Sequence, residues 1–208
     1  MAFPDDNKSF ELGTLQGYEV EGRCLTTSSF YSRTFSQNIQ PRSGQFFAVI
    51  DDPTLVDNDG NRIPGPDISI DTSGYQDKID SSGIYLMGVD GARLSARDVA
   101  LPKNSLVRFC WAFEVGDRRP VLFNDFAVFE VLEAGTDKVI HQHFLAQQIS
   151  GSTRWHTYQF TSKVARSVHL RWVSSNGRLT ADPRSAPKPS HRGFPSTLLL
   201  DAIDIIIV

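Results

Sequence analysis

"NSLVRFCWAFEV", Asn104–Val115, alternates along its length. Val107, Phe109, Trp111, Phe113 and Val115 fall on one side of an extended chain, and Arg108 and Glu114 on the other. Successive strand side chains point to opposite faces, so this pattern predicts a sheet strand with Val107, Phe109, Trp111 and Phe113 turned toward a second layer.

The stretches around it read the same way. "SGQFFAVID" (43–51), "NDFAVFEVLEAG" (124–135), "KVIHQHFLAQQ" (138–148), "WHTYQFTS" (155–162) and "SVHLRWVSSNG" (167–177) are β-favouring runs separated by turn residues. "STLLLDAIDIIIV" (196–208) is apolar on both faces, which suits a strand in the middle of a sheet. Many short strands at this spacing predict an all-β, two-sheet antiparallel sandwich of jelly-roll type. "DGARLSARDVAL" (90–101) reads as the one short helix, near 92–99, stopped before Pro102. Residues 1–9 read as an N-terminal tail, and 51–74 and 178–196, rich in Asp, Gly and Pro, as long loops. No repeat or linker divides the chain, so residues 1–208 are expected to form a single domain.

Composition narrows the function classes. A net charge of -3 with no block of like charge gives no footprint for nucleic acid or an anionic membrane. No apolar run reaches the roughly 18 residues of a membrane span. "MAFPDDNKSF" has neither a basic nor an apolar segment of the kind a secretory signal needs, and the compartment stays open between surface, leaderless export and cytosol. Cys24 and Cys110 are too few for a disulfide framework and are expected to be free, buried thiols.

Three stretches carry a resemblance. "FELGTLQGYEVEG" (10–22) resembles the opening strand of jelly-roll carbohydrate-binding modules and related galactose-binding-like domains of bacterial surface and secreted proteins, with Tyr18 where Trp is usual. "LLLDAIDII" (198–206) resembles their closing strand, and "SLVRFCWAFEV", "NDFAVFEVL" and "RWHTYQFTS" look like the central strands in order. The resemblance implies a lectin-like, non-catalytic module that recognises carbohydrate or a glycosylated protein. It also implies one structural calcium, bound by Glu11 and Asp201, where the first and last strands meet. Such a hard cation takes six to eight oxygens, so backbone carbonyls would complete the shell.

The residues themselves suggest ligand contacts. Trp155, Tyr158 and Trp172 are the candidate rings for stacking on a sugar, with Tyr31, Tyr75 and Tyr85 on loops. Arg108, Glu114, Asp125, His156 and Arg171 are polar positions opposite the core. Asp125, entering an aromatic strand, needs a partner, and Arg108 is the candidate. "HQH" (141–143) places two imidazoles on one strand face, as a transition-metal site would, with His156 or His169 as a third ligand, although exposed polar positions are the plainer reading. "DNDGN" (57–61) fails the spacing of a calcium loop and reads as a turn. Glu114 and Glu130 are the one carboxylate pair to weigh for glycoside hydrolysis. The ordering is a carbohydrate-binding module first, a structural or protein-interaction domain second, and a cupin-like metal enzyme third.

Overall fold

The computed structural model describes residues 7–51, 70–78, 84–116, 124–181 and 196–207. In chain order the strands are β1 (Glu19–Glu21), β2 (Arg23–Thr27), β3 (Phe30–Ser32), β4 (Gln37–Ile39), β5 (Phe47–Asp51), β6 (Ile70–Asp71), β7 (Gln76–Lys78), β8 (Tyr85–Leu101), β9 (Ser105–Glu114), β10 (Phe126–Glu133), β11 (Val139–Gln147), β12 (His156–Ser162), β13 (Arg166–Thr180) and β14 (Thr197–Ile207). All pairings are antiparallel. Sheet A runs β1-β8-β13-β10-β11, with β6 and β7 also paired to β8, and sheet B runs β12-β9-β14-β5-β2. From β8 onward the chain changes sheet at every connection except β10 to β11. This produces the jelly-roll sandwich that the alternating strands predicted.

The core lies between the sheets. Val107, Phe109, Trp111 and Phe113 of β9 point into it, opposite Phe129 and Val131 of β10, Leu170 and Trp172 of β13, and Leu94 and Ala96 of β8. β14, apolar on both faces, sits between β9 and β5 as its sequence predicts. Its second face is covered: the β3–β4 hairpin lays Phe30 and Ile39 over Phe47, Val49, Ala112 and Leu199 on the outside of sheet B. Glu114 pins that hairpin, accepting the Ser32 hydroxyl at 2.8 Å and the Thr34 N–H at 2.9 Å.

Two expectations about local structure change. The stretch 92–99 is not a helix but the middle of β8. Ala92, Leu94 and Ala96 face the core, while Arg93, Ser95 and Arg97 face away, so a period of two overrides the helix propensity of Ala and Leu. Phe10–Tyr18 is not an opening strand; turns occupy it, and only Glu19–Glu21 pairs with β8. Asn7 holds these turns together, donating to Thr14 O and Gln16 O at 3.0 Å each and accepting from Leu12 N at 3.1 Å. Phe10, at φ 64°, is thereby driven into the core beside Tyr18, so residues 7–9 are part of the fold and not a tail. Of the two long loops, 70–71 form β6 and 178–180 end β13; positions 52–69 and 182–195, including "DNDGN", lie outside the described residues. Cys24 and Cys110 are unpaired, Cys110 buried and Cys24 half-buried.

Candidate functional site

The outer face of sheet A carries a polar row that follows from register. Phe129 and Val131 point inward, so Glu130 points out; the same alternation turns Arg171 and Ser95 out from β13 and β8. Register then aligns five strands: Glu19 lies opposite Ser95, Ser95 opposite Arg171, Arg171 opposite Glu130, and Glu130 opposite Gln142. The neighbouring row runs Glu21, Arg93, Val173, Val128, Phe144.

Tyr75 arches over this face. The turn that delivers it closes with Tyr75 N–H donating to Thr72 O at 2.9 Å, and Gly88 N–H donates to Tyr75 O at 2.9 Å. Gly88 is required there, because a Cβ would collide with the Thr72 carbonyl. The Tyr75 ring then packs with Leu86, Phe126, Val128 and Val173, and Phe144 and Leu179 border them.

The Tyr75 hydroxyl donates to Glu130 Oε2 at 2.9 Å. Gln142 Nε2 donates to Oε1 at 3.0 Å, and Arg171 lies 3.5 Å from Oε2. A carboxylate only 2% exposed needs such donors to offset its desolvation. Burial, and then the neighbouring Glu130 charge, push the Tyr75 phenol up to about 12, so it acts as a donor at neutral pH. Arg93 grips both oxygens of Glu21 and holds that carboxyl below its ordinary range. Arg97 bonds Glu19 at 2.6 Å and Asp137 at 3.2 Å. Two atoms of the central row, Ser95 Oγ and Arg171 Nε, are buried without a hydrogen-bond partner. Such groups in a folded protein mark a place for a water or a polar guest.

A second site lies at the loop 42–45. Asp201, fully buried in β14, accepts the N–H groups of Arg42 at 2.6 Å, Ser43 at 2.9 Å and Ala202 at 2.6 Å. Glu11 reaches the same loop from the N-terminal turns and accepts Gln45 N–H at 2.8 Å. Its carboxylate rests on Gly44, where a side chain would displace it. Desolvation raises Asp201 to about 6; its three N–H donors oppose that shift, and the charge of Glu11 adds to it. Among the described residues no third His, Cys, Asp or Glu joins them. The two carboxylates accept four backbone N–H groups between them, so a Ca²⁺ held here would use the lone pairs those donors leave free and draw its remaining oxygens from outside the pair.

The five expected ligand-binding residues do not converge. Trp172 is fully buried, edge-on to Phe109 at 5.5 Å, and belongs to the core instead of a binding face. Trp155 is half-buried outside sheet B, edge-on to Phe47 at 5.6 Å, with its indole N–H donating to Gln40 O at 2.9 Å. Tyr158 lies on β12, the edge of sheet B. Asp125 does not meet Arg108; it accepts Gly177 N–H at 3.2 Å and the Ser196 hydroxyl at 2.8 Å, tying two chain segments together. Arg108 instead pairs with Asp204 at 3.1 Å on the surface.

The imidazoles do not gather as a cupin site requires. His156 stacks on Trp111 at 5.1 Å, and His169 lies beside Asp98 and Asp137, away from His141 and His143. Glu114 and Glu130 point outward from opposite sheets, so they cannot flank one glycosidic bond. Of the residues that do converge, Arg171 was legible as an outward position. Arg93 and Ser95 were hidden by the helix reading of 90–101, although their alternation with Ala92 and Leu94 was the available signal.

No protein-family model matches the chain, and no curated protein matches it in sequence. Solved structures similar to it include the enzymatically active domain of tailspike protein 4 from bacteriophage CBA120, at 8% identity and TM-score 0.44, over 98% of this chain and 21% of that one. The K3 cleaved adhesin domain of Lys-gingipain from Porphyromonas gingivalis is similar at 9% identity and TM-score 0.42, over 95% of both chains. A CBM4 structure is similar at 11% identity and TM-score 0.34, over 64% of this chain and 78% of that one. The chain thus spans about a fifth of the tailspike chain's length. The two-sheet sandwich itself rests on the strand register described above.

Proposed function

We propose that the chain is a non-catalytic module that binds carbohydrate or a glycosylated surface through the outer face of sheet A. The observation that carries this reading is the row Gln142–Glu130–Arg171–Ser95, fixed by register and bordered by Tyr75 and Phe144. Gln142, exposed at the edge of the row, offers amide donors and acceptors to sugar hydroxyls, and buried Glu130 holds its side chain in place. Half-buried Phe144 and exposed Gln142 lie at the open, β11 side of the row.

A structural calcium at Glu11 and Asp201 belongs to the same reading. It would tie the N-terminal turns, the 42–45 loop and the last strand together, away from the ligand and without any part in chemistry. A glycan array probed with the whole chain, with and without a calcium chelator, tests the proposal. Saturable binding to a defined glycan set supports it. An array with no binder under either condition sinks it and favours a structural or protein-interaction domain.

A further inference from the structure

The open flank of the sandwich carries a cluster that neither site uses. β11 ends sheet A and β12 ends sheet B, and side chains from these two edge strands meet across the gap. His141 and His143 are two residues apart on β11, so they project to the same side. Tyr158 and Phe160 answer them from β12. The His143 ring stacks on Tyr158 at 4.6 Å and 26°, and the His141 ring lies 4.8 Å from Phe160 at 34°. His141 Nε2 is 2.7 Å from the Tyr158 oxygen. His143 is exposed.

Apolar packing alone would close this flank as well with Leu or Phe as with imidazole. What the imidazoles add is two aromatic nitrogen ligands beside a phenol oxygen. We propose that His141, His143 and Tyr158 form a binding site for one divalent transition metal ion, with Cu²⁺ bound in preference to Ni²⁺ or Zn²⁺. Neighbouring N and O ligands of a tetragonal ion, each with a bond of about 2.0 Å, stand about 2.8 Å apart. The observed 2.7 Å separation is a hydrogen bond in the metal-free protein; an ion would take the place of its proton, with the two atoms already near that edge. The i, i+2 spacing gives the second nitrogen, and solvent fills the fourth position. The order of metals follows the general affinity series for nitrogen and oxygen donors.

The surroundings suit this ion and not a hard one. Among the described residues no group of three His, Cys, Asp or Glu forms, so an ion at this flank would rest on the two imidazoles and the phenol. Burial lowers the proton affinity of both imidazoles, and for His141 the neighbouring His143 lowers it further, so protons compete weakly at neutral pH. Coordination of Tyr158 as phenolate would release one proton to solvent. The site is independent of the Glu11–Asp201 pair and of the carbohydrate reading.

The test is a titration of the whole chain with Cu²⁺ against a competing chelator, followed by visible absorption. The parent should bind one ion and develop a phenolate-to-copper charge-transfer band. His143→Gln should weaken binding roughly tenfold or more, in line with losses seen when metal-site residues are removed. Tyr158→Phe should abolish the band while nitrogen ligation persists. Melting curves identify any variant that does not fold, and exposed His143→Gln is the variant chosen to avoid that outcome. Equal copper affinity in the parent and in a His141→Gln/His143→Gln variant would overturn the site, because the ion would then sit elsewhere. A parent that binds copper without the band would overturn the role of Tyr158.

Discussion

Glu11 and Asp201 hold the same loop from opposite ends of the chain: Asp201 takes the N–H groups of Arg42 and Ser43, and Glu11 takes that of Gln45. Burial raises the proton affinity of Asp201 most, and repulsion from the Glu11 carboxylate adds to it. A divalent cation between them would reverse the penalty.

The first prediction therefore concerns calcium. A chelator should lower the melting temperature, and Ca²⁺, but not Cu²⁺, should restore it. Binding to the folded state alone contributes about 2.7 kcal/mol at a hundredfold excess over Kd. Asp201→Asn should blunt the response, and Mg²⁺ should substitute poorly because it demands a tighter octahedral shell. A melting temperature indifferent to both chelator and Ca²⁺ rules the ion out.

The pH dependence of the same pair has a definite sign. Asp201 moves from 3.8 to about 6 on folding, so between these values the metal-free folded state binds more protons than the unfolded one. Its contribution to metal-free stability should thus rise as pH falls through about 6 and level off below 3.8. Calcium needs the ionised carboxylate, so the stabilisation added by Ca²⁺ should shrink over that window. Melting curves at about pH 7.5 and about pH 5, with and without Ca²⁺, check both trends. A calcium increment that is the same at the two pH values contradicts the assignment.

Trp172 separates core from ligand. Its ring is fully buried against Phe109 and Phe129. Trp172→Ala should cost roughly 3–5 kcal/mol in urea unfolding, the usual range for emptying a large aromatic site. A loss below about 1 kcal/mol would place the ring outside the core.

Tyr75→Phe removes one donor from buried Glu130 and leaves the ring in place. Leaving a buried acceptor short of its partner costs about 1–3 kcal/mol. The unfolding free energy should fall by that amount. An unchanged value would mean that the Tyr75 turn does not hold Glu130.

Much of the sandwich was legible because its strands obey a strict period of two; the inward set of β9 could be named from Asn104–Val115 alone. The 90–101 stretch was not, because Ala92, Leu94 and Ala96 carry its first inward positions and the alternation then shifts before Val99 and Leu101. Small, helix-favouring residues blur the alternation that places Arg93 and Ser95 outside. The ligand face was least legible, since it depends on register between strands far apart in sequence. Nothing local to "EVLE" says that Glu130 will stand opposite Arg171 and Gln142, or that a turn fitted against Gly88 will lay Tyr75 over it. Glu11 and Asp201 both bond the 42–45 loop, but the turns that carry Glu11 read as a strand in the sequence, because Phe10 adopts a left-handed backbone conformation that its sequence does not advertise.

The most direct measurement of the central claim is an NMR titration of isotope-labelled protein with the oligosaccharide that the array selects. Shifts should concentrate at Arg93, Gln142, Phe144 and Arg171, and Gln142→Ala should weaken Kd at least tenfold, about 1.4 kcal/mol. Shifts confined to Trp155 and the β3–β4 hairpin, or no saturable shift at any residue, would contradict it.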